Sequence, residues 1–305
     1  MSPQQGQKSV LITGCTPGGI GHALGLAFRK KGKSPHIECL HVFATARNTA
    51  VLAELAAPGI SILQLDVTDA ESIKACHDEV SRATGGKLDI LVNNAGRNHT
   101  HPALDVSIPD VRATFETNVI GVMAMVAQFG DLLIHAEGLI INIASLAAVT
   151  PYVFGSIFSA TKGAIISYSR TLRQELRPFN VRVMVLMTGF VKSNTQSVRR
   201  ELPEDSFYSR VRDLFDKKVT YSKNTAQFSP EDFAADIVSK ALRPESQPLF
   251  RSWMGRPDWY WSGGKSSVVW WGSTLFGEWL TDAVCWKMFQ LEKLQKMVQS
   301  ERKRQ

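Results

Sequence analysis

The stretch that most constrains the fold is a strand, a glycine-rich turn and a helix in immediate succession. Residues 9–13 read as a short β-type run, TGCTPGGIG follows, and HALGLAFRKKG has helical apolar spacing. Gly14, Gly19 and Gly21 let the backbone approach a pyrophosphate while the helix N-terminus faces its charge, with Thr16 and Ile20 in the same turn. Gly18 adds a position that tolerates unusual dihedrals. A glycine cluster alone also fits a structural turn; strand before and helix after favour the ligand.

The rest of the chain repeats that alternation. Apolar runs at 39–46, 61–65, 88–92, 139–144 and 181–187 alternate with helical patterns, and 248–255 reads as the last strand. The pattern predicts an α/β fold: a single doubly wound, Rossmann-like parallel sheet with helices on both faces. Residues 30–38 read as a lengthened connection, and Ser229-Pro230-Glu231-Asp232 as a helix start. At 305 residues, one large domain over 1–255 is expected, including a polar substrate lid near 190–228. An aromatic-rich extension over 256–305 carries Trp259, Trp261, Trp270, Trp271, Trp279 and Trp286.

The net charge of +7 has no aromatic-interleaved basic stripe behind it, so a nucleic-acid partner is not expected. Cys15, Cys39, Cys76 and Cys285 are too far apart for a disulfide framework or a metal site, which points to a reducing compartment. The first residues hold no apolar targeting stretch, and the best apolar run, 265–278, is too short to span a membrane.

Residues 139–175 carry the chemistry. Ser145 closes an apolar run, Phe158 follows thirteen residues later, and Lys162 four further on, so Phe158 and Lys162 share a helical face beside a strand end. With NNAG at Asn93 to Gly96 and the first turn, this spacing resembles the short-chain dehydrogenase/reductase family. The longer TGC–GGIG form resembles its fungal NADPH-dependent 1-acyldihydroxyacetone-phosphate reductase-like branch. That family has Tyr where this chain has Phe158; its hydroxyl exchanges a proton with the substrate oxygen, and Phe has none to exchange.

The resemblance implies further roles. Ser145 orients the substrate oxygen, Lys162 holds the cofactor ribose, and Asn118 positions Lys162 through a bound water. Asp66, with Val67, meets the adenine end, although Asp66 also fits a cap for the helix that follows. Asn93, Ala95 and Gly96 pack on the cofactor. Gly189 forms the turn after the sixth strand, where Thr188 replaces the usual Pro; Val191 offers an amide and Ser193 a hydroxyl to the nicotinamide carboxamide. Arg47 stands where an NAD ribose would need an acidic residue and can pair with a 2′-phosphate, which favours NADPH/NADP+. Tyr152, Ser156, Ser159 and Thr161 lack the Tyr's place in the pattern, though Tyr152 has suitable chemistry.

The implied activity is an NADP(H)-dependent oxidoreductase acting on an apolar, lipid-like or secondary-metabolite ketone or alcohol, in a catalytically impaired Tyr-to-Phe form. Two readings stay open: an unconventional cyclising, isomerising or eliminating enzyme, and a noncatalytic NADP(H)-binding protein. A homodimer or homotetramer through the Asn118 and Phe158 helices is expected. The C-terminal aromatics fit a pocket cover, a subunit contact or a membrane surface. The implied location is cytoplasmic, peripheral to endoplasmic reticulum or lipid droplets.

Overall fold

The structure is a computed structural model and describes residues 7–32, 40–193, 200–225, 228–247, 250 and 253–304. Most of the connection expected at 30–38, with Cys39, lies outside these residues, as do 194–199 and 226–227 of the expected lid.

The strands are β1 (Lys8–Ile12), β2 (Leu40–Ala46), β3 (Ser61–Gln64), β4 (Ile90–Asn93), β5 (Leu139–Ile143), β6 (Arg182–Thr188) and β7 (Trp259–Ser262). They form one parallel sheet in the order β3-β2-β1-β4-β5-β6-β7. The chain starts at the centre and winds outward in both directions, so the order reverses between β1 and β4. A crevice at such a reversal is where open α/β sheets bind ligands.

The helices are α1 (Ile20–Lys31), α2 (Ala53–Ala56), α3 (Ala70–Thr84), α4 (Ile108–Phe115), α5 (Gly121–Ala136), α6 (Ser156–Leu176), α7 (Arg212–Thr225) and α8 (Pro230–Ala241), then α9 (Ser266–Phe276), α10 (Glu278–Met288) and α11 (Leu291–Arg302). Alternation along the strands makes two cores. Val10, Ile12, Ile141 and Leu186 face α1 and α8, whereas Leu11, Ile140 and Val183 face α3, α5 and α6. Burial on both faces explains why the strands read as continuous apolar runs. Ser229 caps α8 by accepting from the Asp232 amide at 3.0 Å, as its sequence predicts.

Three expectations change. The last described strand is Trp259–Ser262, so the sheet runs past the boundary placed at Gly255; of the strand expected at 248–255, residues 248–249 and 251–252 lie outside the described residues. Side chains fix this strand: Tyr260 and Ser262 donate to the two carboxylate oxygens of Asp236 on α8 at 2.8 and 2.6 Å, and Arg182 pairs with Asp258. Asp69, not Asp66, caps α3, accepting from Glu71 at 3.0 Å. Finally, the continuous helical stretch Ile108–Ala136, read from the sequence as a helix over Val111 to Leu133, is long and apolar enough to cross a membrane, although no uncharged apolar run of that length was expected. Its apolar row Met125, Val126, Phe129, Leu132 and Leu133 is buried against the sheet, which accounts for that composition.

Beyond β7, α9 to α11 form an arm. Its outward side exposes Trp271, Leu275, Phe276 and Trp279.

Candidate active site

The carboxyl ends of the strands gather the expected residues. Gly14, Thr16, Gly19, Ile20 and Gly21 lead from β1 into α1; Arg47 follows β2; Asp66 and Val67 follow β3; Asn93, Ala95 and Gly96 end β4; Gly189, Val191 and Ser193 follow β6.

The first turn is closed on the β4 turn by backbone-directed hydrogen bonds. Thr13 Oγ1 accepts from the amides of Asn94 and Ala95 at 3.0 and 2.9 Å, and Asn94 Nδ2 donates to the carbonyls of Thr13 and Gly14, both at 2.8 Å. Gly14 has φ +72°, and a Cβ there would stand 2.9 Å from Ala95 Cα. A Cβ on Gly21 would stand 2.5 Å from both Asn94 Nδ2 and Gly14 O. The glycines are therefore required by protein packing as well as by any ligand. No side chain caps α1, no acidic residue occupies its first turn, and Thr16 to Gly18 are exposed, leaving amide donors open to an anion. Arg47 is exposed at the end of β2. Asp66 Oδ1 accepts from the amide and hydroxyl of Thr68 at 3.0 and 2.8 Å, which fixes the loop beside β3. Val67 is buried and packs against Gly121. These features fit a dinucleotide with an added phosphate.

On the other side of the crevice, Lys162 is buried and donates from Nζ to the Ile143 carbonyl at 2.7 Å. Burial lowers its pKa to about 8. The Phe158 ring centre stands 5.7 Å from this nitrogen. Ser145 Oγ accepts from the Ala147 amide at 3.2 Å and caps a short 3₁₀ turn; that bond uses a lone pair and leaves its O–H to donate. Asn118 lies in a π-helical turn, Glu116–Ile120, between α4 and α5. Its amide accepts from Arg97 N at 2.8 Å and donates to Arg97 O at 3.0 Å and Thr161 Oγ1 at 3.1 Å. Asn118 thus ties the loop after β4 to α6 next to Lys162, with no direct bond to Lys162 itself.

Asn94 pins the adjoining backbone, as the Asn side chains of NNAG are expected to do. The roles of Thr13 and Thr161 escaped sequence reasoning, as did Asn142, which joins Asn93 at 2.8 Å to Ser169 at 2.9 Å beneath the site. Nothing local signals these. Asp110 is the centre of a larger cluster: Arg97 and Arg200 each donate to it at 2.5 Å, and fully buried His99 has Nε2 3.3 Å away. Arg200 holds the Asp110 carboxyl below the usual range, and burial lowers His99 to about 4, so the imidazole is neutral at pH 7. With Ser206 donating to Asp105 at 2.6 Å, this ties the segment after residue 200, part of the expected lid, to the loop after β4. Tyr152, the alternative hydroxyl, has its ring centre 6.2 Å from that of Phe158, and burial raises its pKa.

This layout is that of a doubly wound, Rossmann-like α/β protein with Ser145 at the end of β5 and Phe158 and Lys162 on the helix after it. The short-chain dehydrogenase family profile matches residues 8–204. A short-chain dehydrogenase, fogD, of Aspergillus ruber is 37% identical over 302 residues, 98% of this chain and 99% of the relative. An NADPH-dependent 1-acyldihydroxyacetone phosphate reductase of Schizosaccharomyces pombe is 37% identical over 280 residues, 89% and 90% of the two chains. Among solved structures, a short-chain dehydrogenase from Streptomyces avermitilis superposes with TM-score 0.72 at 25% identity, covering 96% of this chain and 98% of that one. The chain belongs to the short-chain dehydrogenase family, whose members bind NAD(P).

Proposed function

We propose that this chain is an NADP(H)-dependent ketone reductase whose proton-transfer position is disabled by Phe158. The observation that carries the reading is the Phe158 ring beside an otherwise assembled set: the Lys162 ammonium 5.7 Å from its centre, and Ser145 with its O–H still to give. Arg47 and the open α1 N-terminus would hold the 2′-phosphate and pyrophosphate, and the fixed Asp66 loop the adenine end. The bound nicotinamide supplies hydride.

The remaining steps belong to the chain. Lys162 commits one proton to Ile143 and keeps two N–H groups for the cofactor ribose. Ser145 donates to the substrate oxygen and draws negative charge toward the β5 end. Asn118 holds the Arg97 backbone and Thr161, so the walls beside Lys162 stay in place. At position 158 no atom gives a proton to the developing alkoxide. The activity for which the S. pombe relative is named supports a ketone bearing an acyl chain as the substrate class.

The test compares the protein with Phe158→Tyr, following NADPH oxidation and product separately on acyl-dihydroxyacetone-phosphate and bulky apolar ketones. Restoring the hydroxyl is expected to raise reduction roughly 10²- to 10⁴-fold, the range for positioned acid–base catalysis. Product formed by the Phe158 protein without cofactor oxidation, and unchanged in the variant, would overturn the reading in favour of a redox-neutral reaction.

A further inference from the structure

The C-terminal arm is fastened to the lid helix α7 and the turn before it. Lys293 donates to Asp213 at 3.0 Å and Arg210 to Glu301 at 2.7 Å. Lys218, buried on α7, holds its ammonium 3.3 Å from the Tyr152 ring centre and 4.3 Å from that of Phe289. This leaves an open cleft of about 820 Å³ between the arm and residues 150–159, within the size range of small-ligand sites.

One wall is Val153 and Phe154; facing them are Trp286 and the α11 residues Leu291, Leu294 and Val298. The last three recur at helical spacing and form one apolar stripe, half-buried, with no side chain among the described residues filling the space before it. Two apolar walls across a gap open to solvent favour a ligand that covers them both. Ser159 Oγ, one residue along α6 from Phe158, is a buried cleft atom with no hydrogen-bond partner among the described residues. Tyr152 is shared: it lines the cleft and its ring centre lies 6.2 Å from that of Phe158. The stripe runs along two turns of α11, about 10 Å, a straight aliphatic track.

We infer that this cleft binds the extended alkyl or acyl tail of the substrate, with the C-terminal arm as the wall that selects it. Which end of the ligand reacts rests on the ketone-reductase reading; binding of the tail does not.

The experiment is calorimetric titration, with and without NADPH, using methyl ketones from 2-octanone to 2-tetradecanone. Affinity is expected to rise roughly three- to fourfold per methylene, the increment for a buried CH₂. Leu294→Trp should remove most of that gain for the longer ketones while leaving NADPH affinity unchanged, and Val298→Trp should do the same if Leu294→Trp folds poorly. Affinity independent of chain length, or long ketones bound equally by both variants, would overturn the inference. A Phe158→Tyr protein that binds long ketones without reducing them would sink the reductase reading and keep the cleft; reduction without a chain-length effect would do the reverse.

Discussion

The two sides of the crevice are held together differently. On the cofactor side, Thr13, Asn94, Gly14 and Gly21 are joined through main-chain atoms, and the glycines admit no added carbon. On the proposed substrate side, segments distant in sequence are joined by charged side chains: Asp110 with Arg97 and Arg200, Asp213 with Lys293, and Lys218 over Tyr152 and Phe289. Main-chain closure leaves one geometry, whereas side-chain clasps yield piecemeal, so the second side is the one able to adapt to a bulky ligand.

Gly21→Ala should break the first side outright. Its Cβ would sit 2.5 Å from Gly14 O and Asn94 Nδ2, so a loss of about 3 kcal/mol is expected from overpacking, together with dinucleotide binding. Urea unfolding and NADPH titration read both, and wild-type values for each would show that the turn relaxes.

Lys162 stands between the two sides and makes their contrast pH-dependent. Its folded pKa of about 8 lies below the ordinary 10.5, so the cost of burying the ammonium is full below pH 8 and fades as pH rises to 10.5. That shift corresponds to about 3 kcal/mol, and losing the Ile143 bond returns about 1. Lys162→Met is therefore expected to be about 2 kcal/mol more stable at pH 7, with the difference narrowing between pH 8 and 10.5. A difference that stays flat over that range would contradict the burial argument.

Asp110→Asn should give the smallest effect and the most local one. Leaving Arg97 and Arg200 with a neutral partner is expected to cost roughly 1–2 kcal/mol. Limited proteolysis near 200–211 should quicken while NADPH affinity holds. Equal losses at both sides would mean that the clasp and the cofactor turn are one unit.

The same contrast explains what was legible in the sequence. The glycine turn, NNAG, the Ser145–Lys162 spacing and six of the seven strands follow from patterns confined to a few residues, and the structure places them at one edge. Asp110 gives no such sign, because its partners lie 13 and 90 residues away. The seventh strand was missed for a related reason. Trp259 to Ser262 reads as an aromatic appendage until Asp236, on a preceding helix, receives Tyr260 and Ser262. Thr13 reads as an ordinary strand residue, since its two amide donors come from across the sheet.

The π-helical turn at Glu116–Ile120 absorbs one residue without changing the phase of the helix after it. A π turn holds one residue more than the helix on either side, and one helical residue is worth about 100° of rotation. Deleting a single residue there would close the turn to α spacing and leave Met125, Phe129 and Leu132 on the sheet, with the change confined to the turn itself and its Asn118–Arg97 bonds. The extra residue is thus one that the helix could lose here without turning its buried row, whereas a single deletion within α5 itself would rotate everything after it by about 100°.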